Sequence, residues 1–317
     1  MKILSVFITS NNVNLLLNID GKFKNEAFPF YPYFQSKEDL EYLITSYIKS
    51  LALRIDDLTI LPISTAFDFP VFGKKVNFLS NELLNKKDFL YIYFDNLSLY
   101  SQKNISLTSL GLSTRSDNFI SNRSVFSANK FTGDVEEIIY LSKSINDSYR
   151  TELKKVVLGG DYFTNTEIPN EFKLNLISEI LERGFYEIYI DSENSYPNFL
   201  NLRNNSSIAI KSLDFEKFCY LISSIKSTEL LFEQNNTQKY LHMKLNETYF
   251  LNFNQSESLK LKYKGKDIGN NELLIDSDFS GLFVDLRDTF EKKKNLGVES
   301  FRKVLASIEK NNDYTSL

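Results

Sequence analysis

Two adjacent glycines, Gly159 and Gly160, close the apolar run KVVL, and four acids, Asp95, Asp161, Asp191 and Asp285, each follow an apolar run in the same way. Glycines at such a point allow positive φ and let the backbone come close to a base, a ribose or a phosphate. Any strand-to-helix corner asks for the same freedom, so both readings stand. Carboxylates that follow strands gather at the carboxyl edge of a sheet, where they hold a metal or move a proton, or else serve as ordinary solvated turn residues.

Other chemistry is sparse. The chain has one cysteine, Cys219, and one histidine, His242. A zinc cluster of the His/Cys type is therefore excluded, and so is a Ser-His-Asp or Cys-His apparatus unless His242 itself serves. No intrachain disulfide can form, which fits a reducing cytoplasm. The net charge of −4 has basic and acidic residues interspersed, which argues against nucleic-acid phosphates as partner. Glu291 to Asn295, EKKKN, is the one basic cluster singled out, and its three lysines fall short of a polybasic membrane switch. The run from Ile3 to Ile8 is too short for a signal peptide or a membrane span.

These residues need a scaffold, and 317 residues with 27 Phe and 18 Tyr can bury a large core despite the absence of Trp. ILSVFIT and VNLLLNI read as a hairpin, with a turn at Asp20 to Lys22 before a third strand near Ala27 to Tyr31. Leu40, Leu43, Ile44, Tyr47, Ile48 and Leu51 recur at helical spacing, and Ser36 with Asp39 resembles a capping box. LTILPIS is a strand, and a short helix is expected near Ser80 to Asn85. FLYIYFDNLSLYS repeats the hairpin theme, followed by a helix from Thr132 to Ser148 and the strand KVVL.

A helix after Pro169 is expected to end on Gly184 as its C-cap, followed by the strand FYEIYID and a helix from Asp214 carrying Phe215, Phe218, Cys219, Ile222 and Ile225. From Lys239 the pattern alternates through YLHMKLN, TYFLNF, SLKLKY and SGLFVDLR, which predicts a small antiparallel unit. A helix carrying Val298, Phe301, Val304, Leu305 and Ile308 closes the chain; its polar face mixes both signs, so it packs on the protein and not on a membrane. The expected divisions are a first lobe over 1–88, a second over 89–228 and a β-rich unit with terminal helix over 229–317.

Two units that each run hairpin, helix, strand, with VVLGGDYF in the second, resemble the actin-like ATPase superfamily. That group holds actin, sugar kinases and the seventy-kilodalton heat-shock chaperones. YEIYIDSENSYPNFLNL and SGLFVDLR make the chain most similar to the bacterial MutL, PilM and FtsA types. The resemblance implies an α/β, actin-like (ribonuclease H-like) two-lobed fold, with a nucleotide cleft lined by Thr9, Ser10 and Asn11, by Asp95, Asn96 and Ser98, and by Gly159 and Gly160.

It also implies an Asp-x-Gly at each hairpin turn, where the carboxylate holds hydrated Mg²⁺ and the glycine admits phosphate. Laid on LSVFITSNN, that pattern puts Phe7 at the acid and Thr9 at the glycine; in YFDNLSLYS it keeps Asp95 but puts Leu97 at the glycine. A phenyl ring cannot bind a metal. The resemblance thus points to a catalytically degenerate, cytoplasmic assembly or scaffold component of pilus or envelope machinery, with ATP and Mg²⁺ weakly bound or absent. Its partner would be a protein, such as a membrane-protein tail, without direct membrane insertion. The alternative is an active ATPase, or a reactivase or hydantoinase-like subunit, using Asp95. A one-residue slip of the first strand would exchange its faces and bring Thr9 or Ser10 to the cleft.

Overall fold

A computed structural model describes residues 2–9, 12–29, 37–64, 69–78, 89–94, 99–101, 154–166, 170–181, 184–205, 214–223, 229–234, 237–252, 259–265, 269–276, 278–287 and 306–307. The Ser36 cap, the helices expected at Ser80 to Asn85 and Thr132 to Ser148, the lysine cluster and most of the closing helix lie outside these residues, as do Ser10, Asn11 and Asp95 to Ser98.

The first sheet has the order β3-β2-β1-β4-β5, built from β1 (Lys2–Ile8), β2 (Asn12–Ile19), β3 (Lys22–Pro29), β4 (Thr59–Ser64) and β5 (Asn77–Phe78). β1, β2 and β3 form an antiparallel meander, while β4 lies parallel to β1 and β5 parallel to β4. The β2–β3 turn is a tight two-residue loop. Asp20 at φ 51° and Gly21 at φ 87° give the primed geometry that matches strand twist, and Asn18 Oδ1 accepts the Gly21 N–H at 3.0 Å.

Parallel strands need a crossover, and α1 (Lys37–Ser50) supplies it between β3 and β4. Leu40, Ile44, Tyr47 and Ile48 turn one stripe onto Leu4, Val6, Ile8, Val13, Leu15 and Leu17, all in one core. The opposite face of the sheet, with Ile3, Leu16 and Leu61, is covered by α4 (Tyr196–Asn205) through Phe199 and Leu202. Burial on both faces explains why β1 and β2 read as continuous apolar runs with little alternation.

A seven-stranded sheet has the order β13-β16-β10-β9-β8-β6-β7. Its strands are β6 (Leu90–Phe94), β7 (Leu99–Ser101), β8 (Lys154–Gly159), β9 (Gly184–Ile190), β10 (Glu216–Ser223), β13 (Thr248–Asn252) and β16 (Gly281–Asp285). β6 and β7 form the expected antiparallel hairpin. Two helices follow β8 before β9: α2 (Asp161–Thr164) and α3 (Asn170–Ile180). A separate antiparallel sheet, β12-β11-β14-β15, joins β11 (Glu229–Gln234), β12 (Thr237–His242), β14 (Leu259–Gly265) and β15 (Gly269–Ile275). The α/β class is borne out, and the first sheet runs hairpin, helix and strand in sequence as expected.

Four local expectations are corrected. TYFLNF and SGLFVDLR, expected in the small antiparallel unit, are β13 and β16 of the seven-stranded sheet, where β16 runs parallel to β10. The expected helix from Asp214 is strand β10 from Glu216 to Ser223, with Phe215 just before it and Ile225 outside the described residues, since its residues from Phe218 onward are buried without interruption between neighbouring strands. A continuous apolar run satisfies helical spacing by default, and only the partner strands decide. Gly184 opens β9 instead of capping α3. The helix α4 was not expected, because its asparagines hide the apolar stripe.

By compactness the chain divides into one unit of residues 1–121, 157–165 and 190–216, and a second of 122–156, 166–189 and 217–317. Among the described residues no helix is long and apolar enough to cross a membrane.

Candidate functional site

The first unit contains the glycine pair and most of the described candidates. β8 ends at Gly159, directly beside the β6 tyrosines. A Cβ built on Gly159 would fall 2.7 Å from Tyr91 Cζ and closer still to the Tyr91 hydroxyl, with Tyr93 Cδ2 at 3.3 Å. The tyrosine ring fills the space that a side chain at 159 would need. Gly160 has φ 100°, a conformation that L side chains rarely adopt, and donates its N–H to Asn194 Oδ1. Its carbonyl accepts the Phe163 and Thr164 N–H groups, each at 3.1 Å, and so starts α2.

The Tyr91 hydroxyl donates to Asp191 Oδ2 at 2.8 Å. Asp191 follows β9, and the same carboxylate accepts the N–H groups of Ser195 and Tyr196, both at 2.9 Å, and the Ser195 hydroxyl at 3.0 Å. It thereby satisfies two buried amides at the start of α4 that have no partner within the helix. Burial pushes Asp191 above the ordinary carboxylate value, opposed by these donors, and burial together with the adjacent Asp191 pushes Tyr91 well above its own. The Tyr196 ring stacks on Tyr91 at 4.5 Å between centroids and meets Phe89 at 5.3 Å.

Phe7, at the position where the resemblance implies a metal-binding acid, is fully buried, and its ring packs edge-on against Tyr93 at 5.4 Å. It pairs across the hairpin with Asn14. A hydrocarbon ring supplies no oxygen to Mg²⁺, so the residue present does not fit that ion. Thr9 is also buried: its hydroxyl accepts the Asn12 N–H at 2.9 Å and lies 3.2 Å from the Asn12 carbonyl, while the Thr9 N–H bonds that carbonyl at 2.9 Å. The turn is closed by its own residues.

Beneath it, α4 docks through asparagine. Asn201 Nδ2 donates to Leu61 O at 2.9 Å and Ser5 Oγ at 3.1 Å, and Asn198 Nδ2 donates to Asn14 O at 3.1 Å. These contacts connect three strands to one helix. Neither Asn194 nor the helix was singled out from sequence. The available signal was Asp191 followed by Ser195 and then Pro197, a helix-start pattern.

The second unit uses Asp285 in a comparable way. At the end of β16 it receives Arg287 Nε at 2.9 Å and Nη2 at 2.7 Å, the Arg287 N–H at 3.0 Å and the Ser178 hydroxyl at 2.6 Å, with every partner buried. Arg287 also donates to Asn175 Oδ1 at 2.9 Å. Cys219 is fully buried in β10, where loss of water pushes its thiol up and keeps it protonated. His242 stands opposite Glu229 on β12 and is exposed. Among the described residues no three His, Cys, Asp or Glu side chains come together to hold a metal. The structure therefore brings Thr9, Gly159 and Gly160 each into tightly satisfied local packing, and it places Asp191 and Asp285 in separate hydrogen-bonded networks.

No protein-family description and no curated protein matches this sequence. Among solved structures, the chain is similar to the activator of the 2-hydroxyisocaproyl-CoA dehydratase from Clostridium difficile with bound ADPNP, at 11% identity and TM-score 0.34 over 67% of this chain and 100% of that one. It is similar to the ethanolamine utilization protein EutJ from Carboxydothermus hydrogenoformans, at 9% identity and TM-score 0.35 over 63% and 88%. A third is the Aquifex aeolicus Ppx/GppA phosphatase, at 13% identity and TM-score 0.27 over 52% and 69%.

Proposed function

We propose that this chain is a non-hydrolytic protein of actin-like α/β architecture that works as an assembly component through contacts with another protein. The observation that carries the reading is the buried Phe7 ring, packed on Tyr93 where a hydrolytic relative would need a metal-binding carboxylate. Phosphoryl transfer depends on a cation to neutralise developing charge, and a phenyl group contributes nothing to holding one. Two further features support it. The Gly159 space is taken by Tyr91, and the Gly160 amide is taken by Asn194, so both glycines have packing reasons to be glycine. By the resemblance, the assembly would be pilus or envelope machinery and the partner a protein such as the cytoplasmic tail of a membrane protein.

The test is a thermal-unfolding titration with Mg-ATP. A protein that binds nucleotide at a hundredfold excess over its Kd gains about 2.7 kcal/mol, a clear rise in Tm. The proposal expects no Mg-dependent rise. A saturable rise that is lost in Asp95→Ala would overturn it in favour of an active nucleotide binder.

A further inference from the structure

The outer edge of the first sheet is β3, and among the described residues it pairs only with β2. An open edge of this kind is a template for another strand unless charge, proline or a covering element blocks it. Here Lys24 and Glu26, two residues apart and therefore on one face of the strand, offer opposite charges that invite one specific partner. The Asp20–Gly21 loop makes Ile19 and Lys22 the first pair to exchange backbone hydrogen bonds, so the bonding alternates along the strand from there. Lys22, Lys24, Glu26 and Phe28 turn their backbone groups to β2, while Phe23, Asn25 and Ala27 turn theirs outward. Side chains alternate in step: Lys24 and Phe28 lie on the α1 face, beside Tyr47, and Phe23 lies on the α4 face against Phe199.

We propose that β3 is a self-pairing edge, through which two copies of this chain join antiparallel about a two-fold axis at Asn25. In this alignment Asn25 exchanges both backbone bonds with the partner's Asn25, and Phe23 does so with the partner's Ala27. On the α1 face Lys24 stands opposite the partner's Glu26, and Glu26 opposite the partner's Lys24. Opposite charges directly across a strand pair stabilise it, and like charges there do the reverse. Moving the axis to Glu26 sets that acid against the partner's Glu26, and moving it to Lys24 sets lysine against lysine. An axis between two residues would oppose side chains from opposite faces of the sheet. On the α1 face the two-fold symmetry that a closed dimer requires is thus met with complementary charge only at Asn25, whose own side chain donates to Glu193 Oε2 at 2.9 Å on the other face. Proline at position 29 has no N–H to offer and ends the pairing there.

The inference does not depend on whether nucleotide binds. It is tested by analytical ultracentrifugation across a concentration series, with a charge-exchange set. The wild type is expected to show a concentration-dependent dimer. Lys24→Glu and Glu26→Lys alone, each creating two like-charge oppositions, are expected to weaken it by about tenfold or more, and the double exchange to restore it. Hydrogen exchange gives a second readout: the Phe23, Asn25 and Ala27 amides slow at high concentration, whereas those of Lys24 and Glu26 are slow throughout. Far-UV circular dichroism checks that the substitutions at exposed Lys24 and half-buried Glu26 leave the fold in place. A wild type that stays monomeric, a dimer indifferent to the single exchanges, or outward amides that exchange at the same rate at every concentration would overturn the proposal.

Discussion

Replacing Gly159 by Ala isolates the reason for the glycine pair. The new methyl would sit 2.7 Å from Tyr91 Cζ, nearer to the hydroxyl, and 3.3 Å from Tyr93 Cδ2. Tyr91 is fully buried, so its ring has no solvent to move into. Overpacking a close-packed site costs about 1–3 kcal/mol. Displacing the hydroxyl from Asp191 adds about 1–3 kcal/mol, because the buried carboxylate then loses one of its donors. The expected loss is therefore about 2–6 kcal/mol, read from urea denaturation followed by circular dichroism and fluorescence.

Tyr91→Phe supplies the control, since it removes the nearest atom. The two substitutions share one contact and so should couple, with the double variant less destabilised than the sum by about 1 kcal/mol or more. A Gly159→Ala protein within about 0.5 kcal/mol of wild type would refute the packing argument, as would strict additivity in the cycle. If the glycine existed instead to admit a nucleotide, the substitution would leave stability unchanged and abolish a ligand-linked rise in Tm.

Two other outcomes follow from the second unit. Asp285→Ala leaves the Arg287 guanidinium buried without its carboxylate and is expected to cost about 3–5 kcal/mol by urea denaturation, while exchanging both for apolar residues of similar volume costs much less. Lys217 donates to Asp276 and, at 2.8 Å, to Asp278; the bond from Lys217 holds the Asp276 carboxyl below the ordinary 3.8. A depressed folded-state value means the contribution is present above pH 3.8 and disappears as pH falls through the folded value. Lys217→Met should move the Asp276 titration upward in a carbon-detected NMR experiment, and an unmoved titration would show that the bond does not form.

Much of the framework was legible locally. The β1–β2 hairpin, the Asp-Gly turn, the α1 stripe and the β6–β7 hairpin depend on residues close in the chain, whose turn chemistry and periodicity are set by backbone sterics and side-chain burial. Single Cys and His counts likewise excluded whole classes of chemistry without any structure.

What tertiary contacts decided is where each neighbour comes from far along the chain. Nothing near Gly159 announces that Tyr91 occupies its missing side chain, or that Asn194 takes the Gly160 amide. β10 became a strand only because β9 and β16 flank it, for an unbroken apolar run buries itself equally well in either secondary structure until partners claim its backbone groups. Asp191 and Asp285 looked alike in sequence, each an acid after a strand. Their donors, α4 and Tyr91 for one and Arg287 with Ser178 for the other, were chosen by packing, because the desolvation of a buried carboxylate is offset only by groups that the fold brings within hydrogen-bond reach.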